Sequence, residues 1–159
     1  MNEPLAVAAA AIDRAVLSDH VTMDLDQFLE VLADLGRRQH SLSIDEEMFL
    51  RETSPLIRRA RVPMRAAISD LEDHVGQEFY GDEWFRAADR RSRIQFVRDL
   101  YRDRVDVDWS TFMDVENVDY MMQKRGDEEG PVNPDRIPPG TPSSHWWWWY
   151  PKAPALLQV

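Results

Sequence analysis

The sequence predicts an all-α protein: a small helical bundle of about five or six helices with an extended C-terminal arm rich in proline and tryptophan. Through the first 125 residues, apolar side chains recur every three or four positions, which is the spacing of a helix face. No segment there shows the period-two alternation of a strand. After residue 126 the helical period stops, and this part holds seven of the ten prolines. We therefore divide the chain into a helical domain, 1–126, and a non-helical arm, 127–159.

The first three helices are predicted from their apolar faces and their end signals. Helix one is expected over about 3–18 and helix two over about 23–37, where leucine and phenylalanine recur at the helical period. Ser43 and Glu46 have the spacing of a capping box, in which each side chain bonds the other residue's amide. A third helix should therefore begin near residue 44.

Two prolines shape the prediction for the next segment. Pro55 follows Ser54, an arrangement that suits the first turn of a new helix. Pro63 lies within an apolar stripe and lacks the amide that a helix interior needs. A kink or break is therefore expected near 59–63.

Two more helices are expected, the longest over about 83–104 with Asp82 as its N-cap, and a shorter one over about 111–125. The segment DVDWSTFMDVEN between them resembles part of a calcium-binding loop. However, Thr111 stands where that loop needs glycine, and Asn117 stands where it needs a bidentate glutamate. The aspartates and serine here are therefore predicted to cap the following helix.

Composition and charge narrow the class of protein. The net charge is −10, and an acidic chain argues against general binding to nucleic acid. There is no cysteine, so thiolate chemistry and disulfides are excluded. The apolar N-terminal stretch follows Glu3 instead of a basic segment, unlike a secretory signal, and no apolar run approaches the ~20 residues of a spanning helix. A cytoplasmic location is expected.

The sequence predicts no metal site, no cofactor and no catalytic residue. A dimetal helical bundle needs Glu-x-x-His pairs, and none of the four histidines stands three residues after a glutamate. The nearest approach is Asp70 with His74, which is too little for such a site. No nucleophile motif or glycine-rich phosphate loop is present.

Two stretches are rich in arginine. The arginines of RRARVPMR (58–65) spread around a helix and do not all face one ligand. In RAADRRSR (86–93), three arginines share a helix face, with aspartates within pairing reach. The three arginines are Arg86, Arg90 and Arg93. They are expected either to form ion pairs within the chain or to contact an acidic partner, which could be a second copy of the chain.

The sequence WWWWYPK near the C-terminus has three interpretations: packing on the chain's own body, docking on a partner subunit, or contact with a membrane surface. In an extended chain the indoles would point alternately to two sides, so a segment sandwiched between body and partner would cover both. The acidic sequence DEEG just upstream disfavours membrane-surface contact. The expected partner anchors are Trp146, Trp147, Trp148, Trp149, Tyr150, Leu156 and Leu157.

These features favour a non-catalytic accessory or scaffold subunit of a larger soluble complex, one possibility being a redox enzyme, which docks a partner protein through the aromatic arm. One alternative is an enzyme or small-molecule binder whose apolar pocket is roofed by the tryptophans. Another is an adaptor that binds an acidic partner through its arginine faces.

Overall fold

A computed structural model describes residues 2–17 and 23–151, and the regular secondary structure of this part of the chain is all helical, with no strand. The all-α prediction is confirmed. Six helices are 14 to 19 residues long and one is a single turn. They are α1 (Glu3–Leu17), α2 (Met23–Arg37), α3 (Ile44–Arg58), α4 (Arg61–Val75), α5 (Glu83–Tyr101), α6 (Trp109–Phe112) and α7 (Glu116–Glu129).

The capping box at the start of α3 forms as predicted. The Glu46 amide donates to Ser43 Oγ (3.2 Å), and the Ser43 amide donates to Glu46 Oε1 (2.9 Å). Each side chain thereby satisfies a donor that the helix itself leaves unpaired. The bounds of α1 and α2 also follow the prediction, except that residue 18 lies outside the described part of the chain.

Pro55 does not start a helix, and this expectation is wrong. It lies inside α3, which continues to Arg58. Pro55 is exposed and only one turn from the helix end, so its ring meets solvent instead of the core and the helix loses a single bond. The break predicted near 59–63 is confirmed, because α4 begins at Arg61 and holds Pro63 in its first turn, where no helical donor is needed.

The segment after α5 differs from the single helix expected over 111–125. It forms two helices, α6 and α7, because Met113 leaves the helical conformation (φ −130°, ψ 78°). The predicted capping is confirmed for Asp108 at the start of α6, whereas the N-cap residue of α7, Val115, makes no side-chain capping bond. Asp108 accepts bonds from the Ser110 amide (3.2 Å) and the Thr111 hydroxyl (3.0 Å), and Asp114 accepts one from the Glu116 amide (3.2 Å).

Helix α5 lies at the centre of the bundle. Ten of its nineteen residues are buried, and it packs against α2, α3, α4 and the C-terminal segment. Helix α1 packs on α2 and α3, and α7 packs on α4. The described part of the chain includes no helix that is both long and apolar enough to cross a membrane.

The C-terminal segment, residues 130–151, crosses the bundle and contributes to its core. It contains two 3₁₀ turns, Pro134–Arg136 and Trp146–Trp148, and Val132 and two tryptophans of the second turn are buried. Gly140 lies against the main chain at the end of α2, and Tyr150 donates from its hydroxyl to Asp127 Oδ1 on α7 (2.7 Å). This segment therefore ties α2, α5 and α7 together.

Candidate functional site: an arginine-lined groove along α3

The tryptophan run packs on the chain's own body. Trp147 and Trp148 are 1% and 0% exposed, whereas Trp146, Trp149 and Tyr150 are partly buried. The alternation of indoles assumed for an extended chain does not occur, because a 3₁₀ turn repeats about every three residues instead of every two. Two of the predicted anchors therefore lie in the core, and Leu156 and Leu157 lie outside the described residues.

Both buried indoles bond to one oxygen, Ser92 Oγ on α5. Trp147 Nε1 donates to it at 3.0 Å and Trp148 Nε1 at 2.7 Å. Because these bonds use both lone pairs, the serine hydrogen is left to donate to His145 Nδ1 (2.8 Å). His145 therefore carries its hydrogen on Nε2 and donates it to Asp99 Oδ2 (2.8 Å).

This chain of Ser92, His145 and Asp99 has the residue types of a hydrolase triad but not the properties of one. A serine nucleophile needs a free lone pair and contact with a substrate. Here both lone pairs accept indole hydrogens, and Ser92 and His145 are 0% exposed. The network is a fully paired structural contact that holds the C-terminal segment on α5.

Arg91 is buried beside the same segment. Its position in an arginine-rich stretch of the sequence did not predict this burial. Its guanidinium makes two bonds to the Asp119 carboxylate (2.7 and 3.1 Å) and lies 4.4 Å from the centre of a Trp147 ring. The available signal was its spacing from Ala87 and Ala88, which places it on the inner face of α5.

The predicted arginine face on α5 is only partly free. Arg93 pairs with Asp89 (3.0 Å), as the intrachain interpretation expected. Arg86 and Arg90 are exposed and have no ion pair with any described residue. Arg90 and Arg93 line a depression of only about 30 Å³ together with Asp26 and Asp70, whose negative charges offset theirs. This face offers little to an acidic ligand.

No group of three or more histidine, aspartate or glutamate side chains in the described ranges could hold a metal ion. His74 lies nearest to Glu83 (Nε2 to Oε1, 3.8 Å). The pKa of His74 is lowered, first by burial and then by the charge of Arg90.

A groove of about 700 Å³ lies between the outer face of α3 and the end of α5. Four arginines and one glutamate give its lining a net charge of +3, on a chain whose net charge is −10. None of the indoles lines it. The lining residues are Glu47, Arg51, Ser54, Pro55, Arg58, Arg59, Arg104 and Val105.

Three guanidinium groups in this groove have no carboxylate partner among the residues that the structure describes. The one acidic residue, Glu47, pairs with Arg104, which also donates to the Leu100 carbonyl (2.6 Å). Arg51, Arg58 and Arg59 are exposed, and no carboxylate of the described residues lies within ion-pair distance of them. The groove can therefore bind carboxylates or phosphates through planar, fixed-charge donors.

Arg58 and Arg59 belong to the arginine-rich stretch 58–65 that is visible in the sequence, but the groove itself was not predicted. Arg51, Pro55 and Arg58 recur at helical spacing and so share a face of α3. This shared face could be predicted from the sequence. The contribution of Arg104 could not be predicted, because it depends on the packing of α5 beside α3, which brings residues 57 positions apart in sequence into contact.

The fold and the site together define an all-α bundle with an electropositive groove and a C-terminal segment built into the core. Comparison with protein-family models, curated proteins and solved structures finds no match.

Proposed function

We propose that this chain is a non-catalytic binding subunit of a protein assembly, and that its α3 groove binds an acidic segment of a partner protein. The observation that carries the proposal is a groove of about 700 Å³ on an acidic chain, in which three arginines have no carboxylate partner among the described residues. A cytoplasmic location belongs to the same proposal, since the chain has no cysteine.

This proposal keeps the accessory role expected from the sequence but moves the docking face. Trp147 and Trp148 support the fold, because their indoles are covered by the chain itself. The partly exposed Trp146, Trp149 and Tyr150 are left as an alternative contact surface. The groove is favoured over them because it is concave and its charge has a definite complement.

The expected affinity is moderate and depends on salt. An exposed ion pair contributes about 0.2–1 kcal/mol, so three such pairs contribute about 0.6–3 kcal/mol. Exposed charges are also screened by added salt. These properties suit a partner segment that binds and dissociates within the assembly.

The test is a fluorescence-anisotropy titration with labelled decaglutamate, at low and at high salt. The variant Arg51→Gln/Arg58→Gln should weaken binding about fivefold, since it removes two pairs worth about 0.5 kcal/mol each. The matched control, Arg86→Gln/Arg90→Gln, removes the same charge from exposed positions of another helix and should leave affinity unchanged. Equal losses in both variants, or no binding by the wild type, would contradict the proposal.

A further inference from the structure

We infer that the groove recognises the main chain of an acidic peptide as well as its carboxylates, through the backbone carbonyl of Arg51. This inference rests on the proposed function and names its ligand more closely: an extended peptide segment, as opposed to a polyphosphate or another simple polyanion.

The feature that carries it is Pro55, which lies inside α3, is exposed and lines the groove. In a regular helix the amide of residue 55 would donate to the carbonyl of residue 51. Proline has no amide hydrogen, and its ring clashes with that same carbonyl. Arg51, whose carbonyl has lost this helical donor, also lines the groove.

The neighbouring side chains do not replace this donor. The Ser54 hydroxyl donates to the Leu50 carbonyl (2.7 Å), so its hydrogen is already used. Among the described residues, no side chain donates a hydrogen bond to the Arg51 carbonyl; the donors of Ser54 and Arg104 bond to other groups. A hydrogen-bond donor on the ligand can therefore complete the helix where Pro55 interrupts it.

The spacing along α3 fits a peptide. Arg51 and Arg58 are seven residues apart, which is about 10 Å along a helix, and Pro55 lies between them. The stripe therefore presents donor, acceptor and donor in that order. An extended peptide spans about 10 Å in three residues. Two glutamates at that separation offer carboxylates at both ends, with main-chain N–H groups between them. A polyphosphate offers acceptors alone.

The experiment compares decaglutamate with inorganic tripolyphosphate on the variant Pro55→Ala. Alanine restores the amide, which then bonds to the Arg51 carbonyl and withdraws it from the ligand. Because alanine is the best helix former, the variant should remain folded. Decaglutamate should bind about fivefold more weakly, which corresponds to the loss of one hydrogen bond. Tripolyphosphate affinity should stay unchanged.

The control Pro4→Ala, an exposed proline in the first turn of α1, should change neither affinity. If Pro55→Ala binds decaglutamate as tightly as the wild type, main-chain recognition is overturned, although the proposed function stands. If Pro55→Ala weakens tripolyphosphate as much as decaglutamate, the effect is a change of groove shape and the inference is again overturned. If wild-type protein binds tripolyphosphate but not decaglutamate, the proposed function itself is wrong.

Discussion

Ser92 is a small polar residue at the contact between α5 and the C-terminal segment. Its hydroxyl accepts two indole hydrogens and donates to His145, so its full hydrogen-bonding capacity is used. The network supplies the hydrogen bonds that water would otherwise make to four buried polar groups: the Ser92 hydroxyl, the two indole N–H groups and the His145 ring. Buried networks of this kind are stabilising when every member is paired and costly when one is removed.

Replacing Ser92 with alanine should therefore destabilise the protein strongly. The variant leaves the Trp147 and Trp148 indole hydrogens and His145 Nδ1 without their partner, and an unpaired buried polar group costs about 1–3 kcal/mol. We expect a loss of at least about 3 kcal/mol in urea unfolding. Ser69→Ala, at an exposed site on α4, is the control. A loss for Ser92→Ala no larger than that of the control would contradict the network.

Glu46 gives the stability of the protein an acid dependence. The hydrogen bond from the Arg38 guanidinium (2.6 Å), with a smaller effect from the Ser43 amide, lowers the pKa of Glu46 to about 2. Its folded pKa lies below the ordinary value of 4.5, so its contribution is complete above pH 4.5. That contribution is lost as the pH falls from 4.5 toward 2.

The variant Glu46→Gln should remove this part of the pH dependence. At neutral pH it should lose about 1–2 kcal/mol, because the charge-assisted bonds at the capping box become neutral. Between pH 4.5 and about 2 its stability should fall less than that of the wild type. Chemical unfolding over a pH series measures both. Parallel curves of stability against pH for the variant and the wild type would show that Glu46 does not cause the acid dependence. Glu52→Gln, at an exposed position of the same helix, is the matched control.

At the scale of elements, the C-terminal segment is seated by a close approach of main chain to main chain. Gly140 has φ +82°, and a Cβ added there would lie 2.4 Å from the Arg37 carbonyl oxygen at the end of α2. Gly81 also has a positive φ, of +60°, but nothing lies within 4 Å of the position of its Cβ. Comparing a substitution at Gly81 with one at Gly140 therefore distinguishes the free energy of backbone strain from the free energy of displacing the segment.

Alanine at these two sites should have unequal effects. Gly81→Ala should cost about 1–2 kcal/mol, the price of a left-handed conformation for a residue with a side chain. Gly140→Ala should cost more than Gly81→Ala, because the methyl group also pushes the segment away from α2. Thermal unfolding of both variants provides the comparison. Equal costs would show that the segment is not held against α2 at this point.

What could be predicted from sequence at this scale depended on local spacing. The capping box of Ser43 and Glu46 was readable because its two members are three residues apart. The exposed position of Pro55 was not readable, since it depends on which face of α3 the other helices cover. The contact between Ser92 and His145 joins residues 53 apart, and no sequence spacing encodes such a pair.

At the scale of the whole molecule, the helices and the C-terminal segment share one core. Two fully buried indoles account for about 150–250 Å² each, which at ~25 cal/mol per Å² is about 4–6 kcal/mol apiece. The net stability of a domain is only about 5–15 kcal/mol. Removing both indoles therefore removes an amount comparable to the entire net stability.

Deleting residues 140–159 should consequently leave a protein that is not stably folded. Near-ultraviolet circular dichroism should lose its signal, and the cooperative unfolding transition should be abolished. The full-length chain is the control. A truncated protein that stays folded and unfolds cooperatively would show that the helices are stable alone, and it would return the tryptophan run to the role of a partner-binding arm.

An acidic peptide segment in the groove along α3 is the ligand that the proposed function requires. An NMR titration with decaglutamate, following the main-chain amides and the indole N–H groups together, tests this proposal most directly. Shifts should concentrate at residues 51, 54, 58, 59, 104 and 105, while the indole signals of Trp147 and Trp148 stay in place. Shifts at the indoles of Trp146 and Trp149 with none along α3 would contradict the proposal.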